Sequence, residues 1–265
     1  MLLDDLGDIA PLDADIAGLI EQPGGHAIAG ALYVNWAWAY RGTGAGTTVV
    51  GDRAQAFADR LVLARESLER AIDADEHDGV AYAHLFRTMK GQSDTPSMSS
   101  AWESFDQIER QRKPIRAYSS FADALAAKWF GSEELMLGFA RTHQRALEPV
   151  SHALICQVAN ESLLAHLRRG GVQAAVTFGA NQGVLGEVGA ANDAYLAMST
   201  PDDFQQANFA NSHFSFYFGF LGLNDHARPY LQAMGNNLSA PWTIFDEEAF
   251  NMLERARTAA GLSAT

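Results

Sequence analysis

The chain of 265 residues has one cysteine, Cys156, and so cannot close an internal disulfide, which suits a reducing cytoplasm. It has no apolar run of the ~18 residues that a membrane-spanning helix needs. The nearest approach, Ala27 to Tyr40, is shorter and carries Asn35. Positive charge is scarce: 19 Lys and Arg stand against 32 Asp and Glu, a net charge of −13, and only Lys90, Lys113 and Lys128 are lysine. That sign repels phosphate backbones and anionic lipid, so nucleic acid and membrane surfaces are poor partners. The opening MLLDDLGDIAPLDAD is acidic where an export signal is basic, and a cytoplasmic location is expected. No Pro/Ser-rich linker divides the chain, so a single domain over 1–265 is expected.

What is present points to a packed helical protein. Hydrophobic residues make up 48%, with 15 Phe, 7 Tyr and 5 Trp, enough to offset the entropy of ordering the chain. Nearly every periodic stretch has three- and four-residue apolar steps. From Arg53 to Ala74, Phe57, Leu61, Ala64, Leu68, Ala71 and Ile72 form one stripe, with Asp52 placed to cap it. Comparable spacing predicts helices near 27–41, 79–90, 100–110, 115–129, 133–146, 152–169, 184–198, 201–221, 225–234 and 246–259. Ser100, Ser132 and Thr200 stand at start positions. No segment alternates long enough to predict a strand. Gly170 to Gly189 holds six glycines, each costing about 1 kcal/mol in a helix interior, and a broken element with a seam is expected there.

The arrangement expected is all-α: tetratricopeptide-like antiparallel helix pairs in an irregular α-solenoid. Ala64, Leu68 and Ala71, then the acidic turn DADEHDG and Tyr82 and Leu85, follow the helix–turn–helix spacing of such repeats. Ala227, Leu231 and Met234 repeat it, although the period between the two matches is not kept.

Three motifs carry a resemblance: WAWAYRGTG, the helix from Phe57 to Ala71, and KWFGSEELMLGFAR at 128–141. In the last, Lys128, Trp129, Gly131, Ser132, Glu134, Phe139, Ala140 and Arg141 hold the pattern. The chain resembles, over most of its length, a bacterial family of uncharacterised proteins common in actinobacteria, with a tetratricopeptide-like domain of unknown function. The resemblance implies a fold and no activity.

Motifs that suggest chemistry meet simpler readings. The glycines of RGTGAGTT (41–48) follow a helix rather than a strand and lack the terminal Gly-Lys-Ser/Thr of a phosphate loop, which reads as a connecting loop. His152, Cys156 and Asn160 share a helix face and match a thiol-nucleophile inventory, yet side chains stacked along one helix seldom form a working dyad. DADEHDG lacks the glycine and glutamate positions of a calcium loop, and the eight histidines show no ligand spacing. RQRKPIR (110–116) reads as a solvated helix end. The stripes Tyr33/Trp36/Tyr40 and Phe214/Tyr217/Leu221, with Trp38, Phe216 and Phe220 off them, read as core more readily than as an exposed groove.

The expected role is non-catalytic recognition of a protein or peptide, with no cofactor and no metal. The alternatives are a small-molecule enzyme or binder with an inter-helix pocket lined by Trp129, Arg41 and Arg141, and an acidic immunity or regulatory protein for a basic partner. The residues nominated for binding are Trp36, Arg41, Lys128, Trp129, Glu134 and Arg141. The partner is expected to be basic, because residues 1–50 carry six acids against one Arg and residues 171–265 nine against three, while the middle is near balance.

Overall fold

The computed structural model describes residues 13–42, 50–129, 131–199, 201 and 203–262. The RGTGAGTT segment from 43 onward, and Thr200, lie outside them. Among the described residues the regular elements are helices, and no strand is present. Two compact units are formed, 1–131 and 132–265. Their boundary falls at Gly131–Ser132; the glycine-rich stretch 170–189 lies inside the second unit.

The first unit contains α1 (Asp13–Ile20), α2 (Gly25–Arg41), α3 (Asp52–Ala74), α4 (Gly79–Gln92), α5 (Thr95–Asp106) and α6 (Ile115–Ala124). α2 packs along α3, and α4 is in contact with α2, α3, α5 and α6. The stripe read from α3 is the face it buries: Leu61, Ala64, Leu68 and Ala71 are closed off from solvent. Close approach of α2 to α3 depends on Gly30, where a Cβ would lie 2.5 Å from Leu68 Cγ. Phe86, Phe105 and Tyr118 are fully buried beneath Trp102 and Phe121, with Phe86–Phe121 and Phe105–Tyr118 meeting edge to face at 5.4 and 5.5 Å.

The caps depart from expectation in places. α3 opens after Gly51 with no side-chain cap, so Asp52 is a first-turn acid rather than the capping residue. α5 begins at Thr95, where Asp94 accepts the Ser97 amide; Ser100 lies inside the helix. Asp94 wins because it places a carboxylate before a Pro in the first turn. Ser132 caps α7 as expected, accepting the Leu135 amide, while α4 and α10 are capped by Asp78 and Asp203, which accept the amides of Val80 and Ala81, and of Gln206.

The second unit contains α7 (Glu133–His143), α8 (Ala153–Gly179), α9 (Gln182–Leu196), α10 (Phe204–Phe220), α11 (Asn224–Met234) and α12 (Ala249–Ala259). α8 is its axis, touching α7, α9 and α10, and α11 lies against α10. The glycine-rich stretch is more helical than expected. Gly171 alone leaves helical geometry within α8, at φ 73° and ψ −173°, and α9 runs through Gly183, Gly186 and Gly189. Packing of Val188, Ala191 and Tyr195 outweighs the glycine cost there. Phe214, Phe216, Tyr217 and Phe218 are at most 1% exposed, so the aromatic run of α10 is core on several faces.

Candidate functional site

The nominated residues fall into two groups. Trp36, Arg41, Lys128 and Trp129 belong to the first unit; Glu134 and Arg141 belong to the second.

The first unit builds an aromatic and cationic corner at the ends of α2, α4 and α6. α6 stops at Ala124, short of the expected 129, and the chain turns so that the amides of Trp129 and Gly131 both donate to the Ala126 carbonyl, at 2.9 and 3.3 Å. Gly131 is required at this turn: a Cβ would lie 1.9 Å from the Leu125 carbonyl oxygen. The turn sets Trp129 edge to face with Trp38 (centroids 5.6 Å, planes at 89°), and Phe57 closes on Trp38 at 5.3 Å. Lys90 is 7% exposed and places Nζ 4.6 Å from the Trp38 ring centre and 5.2 Å from that of Trp129. The Arg41 guanidinium lies 5.3 Å from each of the same rings.

Asp123 serves two ammonium groups in this corner. One carboxylate oxygen accepts from Lys90, and the other lies 3.3 Å from Lys128 Nζ. Burial alone would push the Asp123 carboxyl up, but Lys90 and Lys128 outweigh it and hold it below the usual carboxylate range. Burial lowers Lys90 from its ordinary value, opposed by Asp123, and burial likewise lowers Arg41. The Nε1 atoms of Trp38 and Trp129 are buried and have no hydrogen-bond partner. Trp36 lies apart from this arrangement of rings, stacked on Tyr40 at 6.1 Å with the Arg60 guanidinium 4.0 Å over its face.

A second feature of the first unit is a groove of ≈ 470 Å³ between α3 and α5. Leu85 and Met89 of α4 contribute apolar surface, Ser100 and Ala101 form a low wall, and Glu69 and Asp73 stand along α3. Arg65 is held by Glu69 at 2.8 Å and Asp94 at 2.7 Å, which raise its guanidinium above the ordinary value.

In the second unit Glu134 is exposed on the first turn of α7, and Arg141 makes a bidentate pair with Glu187 at 2.6 and 2.8 Å. Cys156 and Asn160 meet His213 of α10 rather than His152. The Asn160 amide donates to the His213 carbonyl at 2.9 Å and lies 3.3 Å from its Nδ1, while Cys156 Sγ donates to the same carbonyl at 3.2 Å. Burial pushes the Cys156 thiol up and the His213 imidazole down to about 3. A neutral thiol beside a neutral, inaccessible imidazole is a poor nucleophile. An open depression of ≈ 770 Å³ lies beside the Gly171 break, where His166 stacks on Phe178 at 4.6 Å.

The remaining motifs resolve into local structure. In DADEHDG, Asp78 caps α4, and Asp75 takes the His77 amide and pairs with Arg112 of the basic cluster. That cluster is a short 3₁₀ turn, Arg110–Arg112, whose neighbour Lys113 donates to the Asp106 carbonyl. Among the described residues, no group of three or more His, Cys, Asp and Glu side chains is placed to hold a metal ion. No helix among them is long and apolar enough to cross a membrane.

Lys90, Trp38 and Asp123 were not nominated from the sequence. A signal for Lys90 existed: it is one of three lysines and follows Leu85, Phe86 and Met89 in the last turns of a helix rich in apolar residues, GVAYAHLFRTMKGQ. No protein-family model, curated protein or solved structure matches the chain.

Proposed function

We propose that the protein is a non-catalytic recognition module that binds a peptide or protein segment. In this reading the helix pairs are tetratricopeptide-like units of an irregular solenoid in a cytoplasmic bacterial protein, in keeping with the family resemblance of the sequence. The observation that carries it is the groove between α3 and α5, which joins an apolar floor at Leu85 and Met89 to carboxylates at Glu69 and Asp73. A peptide side chain of apolar character fits the floor, and a neighbouring Lys or Arg fits the carboxylates. Arg65 offers little opposition, since Glu69 and Asp94 already hold it.

The test is selection from a random peptide library against the full chain and against Ser100→Trp, which fills the groove from an exposed wall position. Selected peptides are expected to pair a basic residue with an apolar one and to lose binding to Ser100→Trp, whose circular dichroism stays native. Their association rate is expected to fall as salt rises. Acidic selected peptides, or equal binding to Ser100→Trp, would remove the groove from consideration.

A further inference from the structure

Between α7, α8 and α9 the second unit leaves a half-enclosed slot of ≈ 40 Å³. Its walls are apolar: Leu137 of α7, Ile155, Val158 and Phe178 of α8, and Val188 of α9. One water-sized group takes about 10–15 Å³ of such space, so the slot has room for about three. Water finds few polar partners there, and atoms lining an unfilled gap forgo contacts that a hydrocarbon guest would restore. Size and lining together suit a short aliphatic group.

The rim decides what that group carries. Two carboxylates border the slot, Glu133 in the first turn of α7 and Glu187 of α9. Glu187 already holds the Arg141 guanidinium at 2.6 and 2.8 Å, so that pair is close to neutral. Glu133 and its neighbour Glu134 are exposed and have no ion-pair partner among the described residues. The positive end of the α7 dipole offsets only about half of one charge, which leaves the rim negative. The second unit also contains no lysine, since Lys90, Lys113 and Lys128 all precede Ser132, so it has no ammonium of its own to compete. A guest bearing a carboxylate would meet like charge, and a neutral one would leave Glu133 unanswered. A monocation on a short apolar stem suits both walls and rim.

We propose that this slot binds a small primary aliphatic amine, its stem between Leu137, Ile155 and Val188 and its ammonium on the Glu133 carboxylate. The site lies in the other unit from the α3–α5 groove and does not depend on the peptide reading.

The test uses proton–carbon correlation spectra of the full-length protein, in which each of the 9 isoleucines gives one δ1-methyl signal. Ile155→Val assigns the signal from the slot wall. The probe is isobutylammonium chloride up to about 50 mM, enough to fill a site of about 5 mM dissociation constant. Isobutanol, ammonium chloride and sodium isobutyrate serve as the neutral, stemless and oppositely charged comparisons. The Ile155 signal is expected to follow a saturating curve with isobutylammonium, a weaker one with isobutanol, and none with the other two, while Ile108 and Ile115 of the first unit stay in place. Glu133→Gln changes an exposed side chain and is expected to weaken isobutylammonium roughly fivefold, the scale of a partly exposed ion pair, and to remove its advantage over isobutanol. Ala159→Leu adds three carbons at the slot wall and is expected to abolish the response in a protein of native circular dichroism. A fixed Ile155 signal, an equal response to any comparison solute, or unchanged affinity in a natively folded Glu133→Gln or Ala159→Leu overturns the proposal.

Discussion

Asp123 sets one carboxylate between Lys90 and Lys128, and this makes part of the protein's stability depend on acid. Its carboxyl is held below the range of a free aspartate, ~3.9 in an unfolded chain. The pair therefore contributes fully above that value, and the contribution is lost as pH falls through the lower folded one. Asp123→Asn leaves Lys90 buried beside a neutral partner and is expected to cost at least about 3 kcal/mol at neutral pH. It should also flatten the fall in melting temperature between about pH 5 and pH 3. Thermal scans of both proteins across that range check the two effects together. In the second unit, the His213 carbonyl accepts from both Cys156 and Asn160, so either donor can be lost without leaving it bare. Cys156→Ala is then expected to cost only about 1 kcal/mol. Asn160→Ala also vacates packing volume and is expected to cost about 2–3 kcal/mol, read as urea midpoints. The folded thiol should resist labelling at neutral pH until the protein unfolds. That Cys156 is buried was legible from its apolar neighbours, whereas its partner His213, 57 residues away, was not. The same holds for the corner: Trp129 and Arg41 were marked by motif, but Lys90 and Asp123 join them only through the crossing of helices.

The glycines of α8 and α9 separate what local pattern reveals from what packing decides. Each of them lowers helix propensity by a similar amount, so composition predicts a loose element. Only Gly171 uses the freedom glycine provides, with φ at 73° and extended ψ. Gly171→Ala is expected to destabilise by about 1–3 kcal/mol, because that region is nearly closed to residues with a Cβ. Gly186 lies within α9, where an added Cβ meets nothing within 4 Å. Gly186→Ala is expected to stabilise by about 0.5–1 kcal/mol through the unfolded chain. Urea melts of the two variants should move in opposite directions. Elements with one strong apolar stripe, α3 above all, were legible almost to the residue. Their starts were less so, since Asp94 and Ser100 are both acceptable caps by type, and the Pro in the first turn after Asp94 is what favours it.

For the molecule as a whole, sequence showed the helical class, and it carries no linker composition at Gly131–Ser132, where the two compact units meet in the chain. The boundary is a tight turn in which Gly131 packs against the Leu125 carbonyl, and such a turn leaves no run of polar residues to read. The division sorts the chromophores unequally. Trp36, Trp38, Trp102 and Trp129 belong to the first unit and Trp242 alone to the second, whereas helix is spread over both. Emission from tryptophan is thus a local gauge of one half of the chain, and ellipticity at 222 nm is a gauge of the whole. With a core in each unit, Trp242→Phe is expected to give urea curves whose emission and ellipticity midpoints differ. Coincident curves would mean that the two halves melt as one. The Lys90 ammonium and Arg41 guanidinium near the Trp38 and Trp129 rings add a second effect. Charges that close to an indole shift its excited state, so the colour of the emitted light, and not only its intensity, reports whether that corner is intact.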